Sequence, residues 1–155
     1  MPATPAAIRT FFTTPSFAVL GAVPDTSRFG HKVFAWYHAH NLPVTGIHSR
    51  TPEIVVNATT YATIRSLNEL PSDPSKTALS FITPPAATLA TLRTAKEMGI
   101  PAVWFQPGAY NEECVAFAEE AGMTVVAGGP GEGACVLVHG EGGLEAAGRL
   151  GGGKL

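Results

Sequence analysis

The chain has 155 residues, 45% hydrophobic and 14% charged, which suits one compact domain with a substantial core. A net charge of −2 with ten Lys and Arg offers no cationic field to the regular phosphates of DNA or RNA, so nucleic acid is not an expected partner. No window nears the run of about 18 apolar residues that spans a bilayer, and Cys114 and Cys135 make neither a disulfide framework nor a zinc site. A cytoplasmic protein with reduced thiols, not bound to membrane, is expected.

Met1 to Pro15 reads as a terminal arm, and the lack of acidic residues before Asp25 keeps organelle targeting open. Phe17 to Leu20 is a short buried strand, and Phe29 to His40 is a helix stopped by Asn41 and Pro43. Val44 to His48 is a second strand, Glu53 to Asn57 a weaker strand candidate, and Ser66 to Leu70 a short helix closed by Pro71. Ala78 to Ile82 is the next strand; Thr83-Pro84-Pro85 bends stiffly into a helix over Ala86 to Met98 with Leu89, Leu92 and Ala95 inward. Ile100 to Phe105 and Thr124 to Ala127 are further strands, separated by a helix that Asn111 caps and Gly122 ends.

Strand and helix alternate at intervals that demand crossover connections. The predicted fold is α/β: a Rossmann-like doubly wound sheet, mostly parallel, of about five strands with flanking helices and a glycine-rich C-terminal tail. Most of the 17 glycines follow Ala127. The expected division is a binding domain over residues 13–139 and a tail over 140–155, with Cys135 to His139 as a short strand or packed arm, Gly142 to Leu150 as a frayed helix, and mobile final residues.

In such a sheet the ligand crevice lies beyond the carboxyl ends of the strands, where strand order reverses. Leu20 to Gly30 places a glycine turn between a strand and a helix, the position at which helix amides receive phosphate. The closely spaced glycines of a full dinucleotide fingerprint are missing, with Ala22, Val23 and Asp25 in the turn. Gly21, Ala22 and Val23 leaving the strand, and Ser27, Arg28 and Phe29 entering the helix, are candidate binding residues. Gly21 allows close backbone approach, Ser27 offers a hydroxyl and Arg28 a charge-assisted fork.

After the second strand a NAD protein presents Asp or Glu to the ribose diol, whereas this chain has His48, Ser49 and Arg50. That trio suits a ribose bearing a further phosphate, which leaves coenzyme A or NADP. Thr83, Pro84 and Pro85 form a rigid apolar wall for adenine or pantetheine, and Gln106 and Gly108 lie in the next strand-end turn; a last glycine turn starts at Gly128.

Gly21 to Arg28, Phe81-Ile82-Thr83-Pro84-Pro85-Ala86-Ala87 and Trp104-Phe105-Gln106-Pro107-Gly108-Ala109-Tyr110-Asn111-Glu112-Glu113 together resemble the small stand-alone CoA-binding domain proteins, related to the N-terminal domain of the succinyl-CoA synthetase alpha subunit. The similarity runs over Thr13 to Gly131 and includes the Tyr61 to Pro71 segment. It implies a Rossmann-type sheet that takes coenzyme A or an acyl-CoA across its first three strand ends, more as a carrier, sensor or regulator than as an enzyme. Where relatives often carry a cysteine after the fifth strand, this chain has Gly129, Pro130 and Gly131, and Cys135 is a poor substitute by spacing. No ligase domain is expected at this length, so the synthetase reaction is not implied.

Two alternatives stay open: an NADP-dependent reductase, against which the missing second glycine and the absence of a Tyr-x-x-x-Lys set count, and a degenerate Rossmann domain used for protein contact. Monomer and homodimer are equally compatible. Other chemistry is discounted. His31 and His38 share a helical face but His40 does not, which opposes a metal site. Glu112 and Glu113 complement a helix N-terminus and oppose a lowered thiol pKa at Cys114. Asp25 serves the turn with Pro24. No metal and no catalytic residue is predicted.

Overall fold

The structure is a computed structural model, and residues 4–127 and 136–148 are described. In chain order the elements are α1 (Pro5–Phe11), β1 (Ser16–Leu20), α2 (Phe29–Ala39), β2 (Val44–Ile47), β3 (Glu53–Val56), β4 (Thr59–Ile64), β5 (Thr77–Phe81), α3 (Pro85–Met98), β6 (Ala102–Phe105), α4 (Glu112–Glu120), β7 (Thr124–Val126) and α5 (Val136–Ala146), with 3-10 turns at Leu67–Glu69 and Pro74–Lys76. Among the described residues, seven strands form one sheet in the order β3-β4-β2-β1-β5-β6-β7. All neighbours run parallel except β3 and β4. The chain winds outward from β1 through β2, then returns to β5 on the other side of β1, so strand order reverses between β1 and β5.

The inner strands are apolar on both faces because both faces are covered by helices. Phe17 and Val19 of β1 join Trp104 of β6 and Val126 of β7 beneath α1, α2 and α5, in a core with Phe11, Phe12, Phe34 and Leu144. Ala18 and Leu20 point the other way and meet Leu79, Phe81, Val103 and Phe105 beneath α3 and α4, whose Leu92, Ala95, Cys114 and Ala118 complete the second core. The helix ends follow from local chemistry. Asn41 sits at φ 58 after α2 and the Leu42 N–H reaches the Tyr37 carbonyl, while Gly99 and Gly122 end α3 and α4 in the same left-handed way. The Asn111 side chain accepts the Cys114 N–H at 3.0 Å, as its capping position predicted.

Three segments differ from the sequence reading. Residues 5–11 are not an arm: Thr4 caps α1 by accepting the Ala7 N–H at 3.1 Å, and Phe11 and Phe12 are wholly buried with their rings 5.4 and 5.8 Å from that of Trp104. The weak Glu53 to Asn57 candidate is one arm, β3, of a hairpin whose partner β4 lengthens the sheet from about five strands to seven among the described residues. Its turn residues Asn57 and Ala58 both have positive φ, the form that matches the twist of paired strands. Val136 to His139 belong to a helix and not to a strand, while Cys135 lies outside the described residues. That helix starts well before Gly142, and Ala146 is its last residue. It crosses the expected boundary at residue 140 and packs closely: a Cβ on Gly140 would lie 2.3 Å from the Trp36 ring, and one on Gly143 2.4 Å from Ile8. Glycine there permits close approach between helices. The last six residues, expected to be mobile, lie outside the described residues, as does the turn from Gly128.

Candidate functional site

A cleft of about 700 Å³ opens at the carboxyl ends of β1, β2, β4 and β5, at the point where strand order reverses. Its floor is the turn after β1. The Gly21 N–H donates to the Ile47 carbonyl at 3.1 Å and the Ile82 N–H to the Leu20 carbonyl at 2.9 Å, which ties the turn to strands on both sides. Gly21 has φ 102, a left-handed value that disfavours any side chain. A Cβ on Gly30 would lie 2.1 Å from the Gly21 carbonyl oxygen, so the first turn of α2 rests directly on the loop. Gly30 thus supplies the close helix–strand packing that the last glycine of a dinucleotide fingerprint supplies elsewhere.

The loop between them is braced from within. His31 donates through Nδ1 to the Val23 carbonyl at 3.0 Å. The Asp25 carboxylate accepts the Ser27 hydroxyl at 2.7 Å and the Ser27 N–H at 2.9 Å. The side-chain bond from Ser27 is the main cause holding the Asp25 carboxyl below its ordinary range, helped by the backbone bond and by the charge of Arg28. Asp25 is thereby committed to the turn, as the sequence reading held. Arg28 is the N-cap residue of α2 and makes no side-chain cap, which leaves its guanidinium to the cleft it lines.

On the β2 side, His48 accepts the N–H groups of Arg50 and Thr51 at Nδ1, each at 3.1 Å. This arrangement shapes the turn that presents Ser49 and Arg50. On the β5 side, the Thr83 and Thr88 hydroxyls bond at 2.8 Å and fix the bend into α3. The far wall comes from Arg65, Ser66, Leu67 and Asn68 after β4, faced by Ala87, Ala90, Thr91 and Thr94 on one side of α3. Arg28, Arg50 and Arg65 line the cleft, and among the described residues no carboxylate does. An acidic chain therefore concentrates cations around one concavity, where the field favours a polyanion.

Of the residues singled out from sequence, Gly21, Val23, Arg28, Phe29, His48, Ser49, Arg50, Thr83 and Pro84 line this cleft. The other five do not. Ala22 is buried in the core beside Gly46, Ser27 is exposed and bonded to Asp25, and Pro85 begins α3. Gln106 is wholly buried after β6, and Gly108 occupies the exposed turn beyond it at φ 89. The cleft extends from β1 toward β4, away from the β6 turn. Arg65 to Asn68 went unassigned because β4 was not recognised; its parallel pairing with β2 brings its carboxyl end to the same edge. Ala87, Ala90, Thr91 and Thr94 recur at helical spacing beside the buried stripe, a signal that was available.

The remaining candidates lie apart. His38 stacks on Tyr61 with ring centroids 3.7 Å apart, and desolvation lowers its pKa. His40 pairs with Glu141 at 3.0 Å, joining α2 to α5. Cys114 is buried with Sγ 3.5 Å from the Pro85 carbonyl. No described helix is long and apolar enough to cross a membrane.

Residues 15–140 match a family described as a CoA binding domain. Among solved structures, a hypothetical protein from Pyrococcus horikoshii OT3 is similar with TM-score 0.70 at 24% identity, covering 79% of this chain and 83% of that one. A Thermus thermophilus protein gives TM-score 0.67 at 26% identity, with 79% and 90% covered. A conserved hypothetical protein from Pyrococcus furiosus gives 0.62 at 27%, with 71% and 90% covered. No curated protein matches the chain.

Proposed function

The chain belongs to the CoA binding domain family, and on that premise we propose that it binds coenzyme A or an acyl-CoA noncovalently in the cleft at the ends of β1, β2, β4 and β5. The observation that carries this reading is the set of three arginines, Arg28, Arg50 and Arg65, around one concavity that no described carboxylate lines. Coenzyme A is a polyanion with a diphosphate and a separate phosphate on its ribose, so it calls for cations at two places. Arg28 and the first turn of α2 serve the diphosphate beside Gly21. Arg50, on the turn after β2, serves the ribose phosphate. The small side chains of Ala87 and Ala90 with Pro84 leave a shallow apolar wall for the flat adenine ring.

The role is binding, in a carrier, sensor or regulator of cytoplasmic CoA chemistry. His48 gives its Nδ1 lone pair to the Arg50 and Thr51 amides, which supports a binding rather than a general-base role for that nitrogen. Calorimetric titration with coenzyme A, with NADP and ADP as competitors, tests the reading. Saturable one-to-one binding that favours coenzyme A is expected; equal or stronger binding of NADP would replace it with a dinucleotide site.

A further inference from the structure

The hydrogen bonds of His48 select one tautomer of its ring. Its Nδ1 lies 3.1 Å from two backbone nitrogens, those of Arg50 and Thr51. A backbone N–H can only donate, so Nδ1 carries the lone pair and the ring proton sits on Nε2. A proton on Nδ1 would face two N–H groups and break both bonds. With Nδ1 occupied in this way, the Nε2–H is the polar group the ring has left for the cleft that it lines.

The same two bonds hold the turn on which Arg50 stands. Around this end of the cleft the neighbouring charged side chains, Arg50 and Arg65, are also donors without acceptor capacity. A ribose diol offers two hydroxyls that need an acceptor such as Asp or Glu for their protons, whereas a phosphate offers only acceptor oxygens at neutral pH.

We propose that His48 is the positioning and specificity-determining residue of this site: Nδ1 braces the turn that aims Arg50, and the locked Nε2–H makes the ribose end of the cleft donate, which selects a phosphorylated ribose over a free diol. The inference rests on the coenzyme A reading for its ligand, while the bracing of the turn does not depend on it.

Long-range 15N–1H spectra of the ligand-free protein at neutral pH read the tautomer directly, and the Nε2–H form is expected. Two substitutions separate the two roles. His48→Asp keeps an acceptor for the Arg50 and Thr51 amides, as Asp does in turns, but replaces the donor edge by a carboxylate. His48→Ala removes both. Amide exchange at Arg50 and Thr51 should stay slow in His48→Asp and quicken several-fold in His48→Ala. The preference for coenzyme A over dephospho-CoA should fall by about tenfold or more in His48→Asp, while His48→Ala weakens both ligands. His48→Asn, which retains an acceptor and a donor, should restore both the slow exchange and the preference.

A proton on Nδ1, a charged ring, or equal amide exchange in all forms would overturn the bracing role. An unchanged preference in His48→Asp would overturn the selectivity role. Failure of the unsubstituted protein to bind either nucleotide would remove the coenzyme A reading and the selectivity with it, and the tautomer and exchange data would still decide the brace.

Discussion

Arg28 occupies a position with two demands, since its backbone starts α2 and its guanidinium faces the cleft. Arg28→Ala should leave the fold intact, because no side-chain cap is lost, and should weaken coenzyme A binding by about 1–3 kcal/mol, the range for a charged hydrogen bond. Calorimetry on the folded variant checks this, and unchanged affinity would remove Arg28 from the site. Gly30 makes the opposite kind of contribution. Its missing side chain leaves room for a backbone oxygen that cannot rotate away, and Gly30→Ala should destabilise the protein by about 1–3 kcal/mol through overpacking. Denaturant midpoints measure that loss, and binding should fall with it as the Gly21 turn moves. Gly21, His48 and Arg50 could be found from sequence because their places follow from the ends of strands that were themselves recognised. Arg65 and Asn68 could not, since a residue at the end of an unrecognised strand has no predicted address.

Among the recognised strands, β1 and β6 show the continuous apolar runs Phe17 to Leu20 and Ala102 to Phe105 that burial on both faces produces, while β2 and β5, which carry Thr45, Gly46 and Ser80, are marked as much by the breakers around them. Those that escaped notice depend on tertiary partners. Helix α1 has only seven residues, and Phe11 and Phe12 give it a reason to exist only once β6 and β7 lie beneath it. Strand β4 is largely exposed and three of its six residues are threonine, so neither a continuous nor an alternating apolar pattern marks it. Helix α5 was expected only as a frayed helix from Gly142, because glycine opposes helices by propensity, and its start at Val136 is explained by the packing of Gly140 against Trp36 and of Gly143 against Ile8 and Phe12. The β3–β4 turn also hides itself, with Ala58 at φ 69 where glycine is the usual residue. An alanine in that conformation is strained, so Ala58→Gly should stabilise the protein by about 0.5–1 kcal/mol net of the added freedom of the unfolded chain. A rise in the thermal midpoint without loss of binding is the expected outcome, and a fall would mean that the hairpin turn tolerates alanine without cost.

At the scale of the whole molecule, the cleft is built by segments far apart in the chain: the β1 turn, the β2 turn, the residues after β4 and one side of α3. A ligand that touches all four binds only the folded arrangement, so its binding energy adds to stability. At a coenzyme A concentration about 100 times its dissociation constant the gain is about 2.7 kcal/mol, which for a chain of this length corresponds to a midpoint rise of about 5–10 °C. Its salt dependence identifies the cause. Arg28 and Arg50 are exposed or half-exposed, so their attraction for phosphate is screened as the Debye length shrinks from about 10 Å at 0.1 M salt to about 3 Å at 1 M. Apolar contact with the adenine wall is not screened in this way. The coenzyme A-induced rise should therefore shrink substantially across that salt range, and the rise produced by ADP, which lacks the ribose phosphate, should be smaller at low salt and change less. A coenzyme A shift indifferent to salt would assign the binding energy to the apolar wall instead of to the arginines.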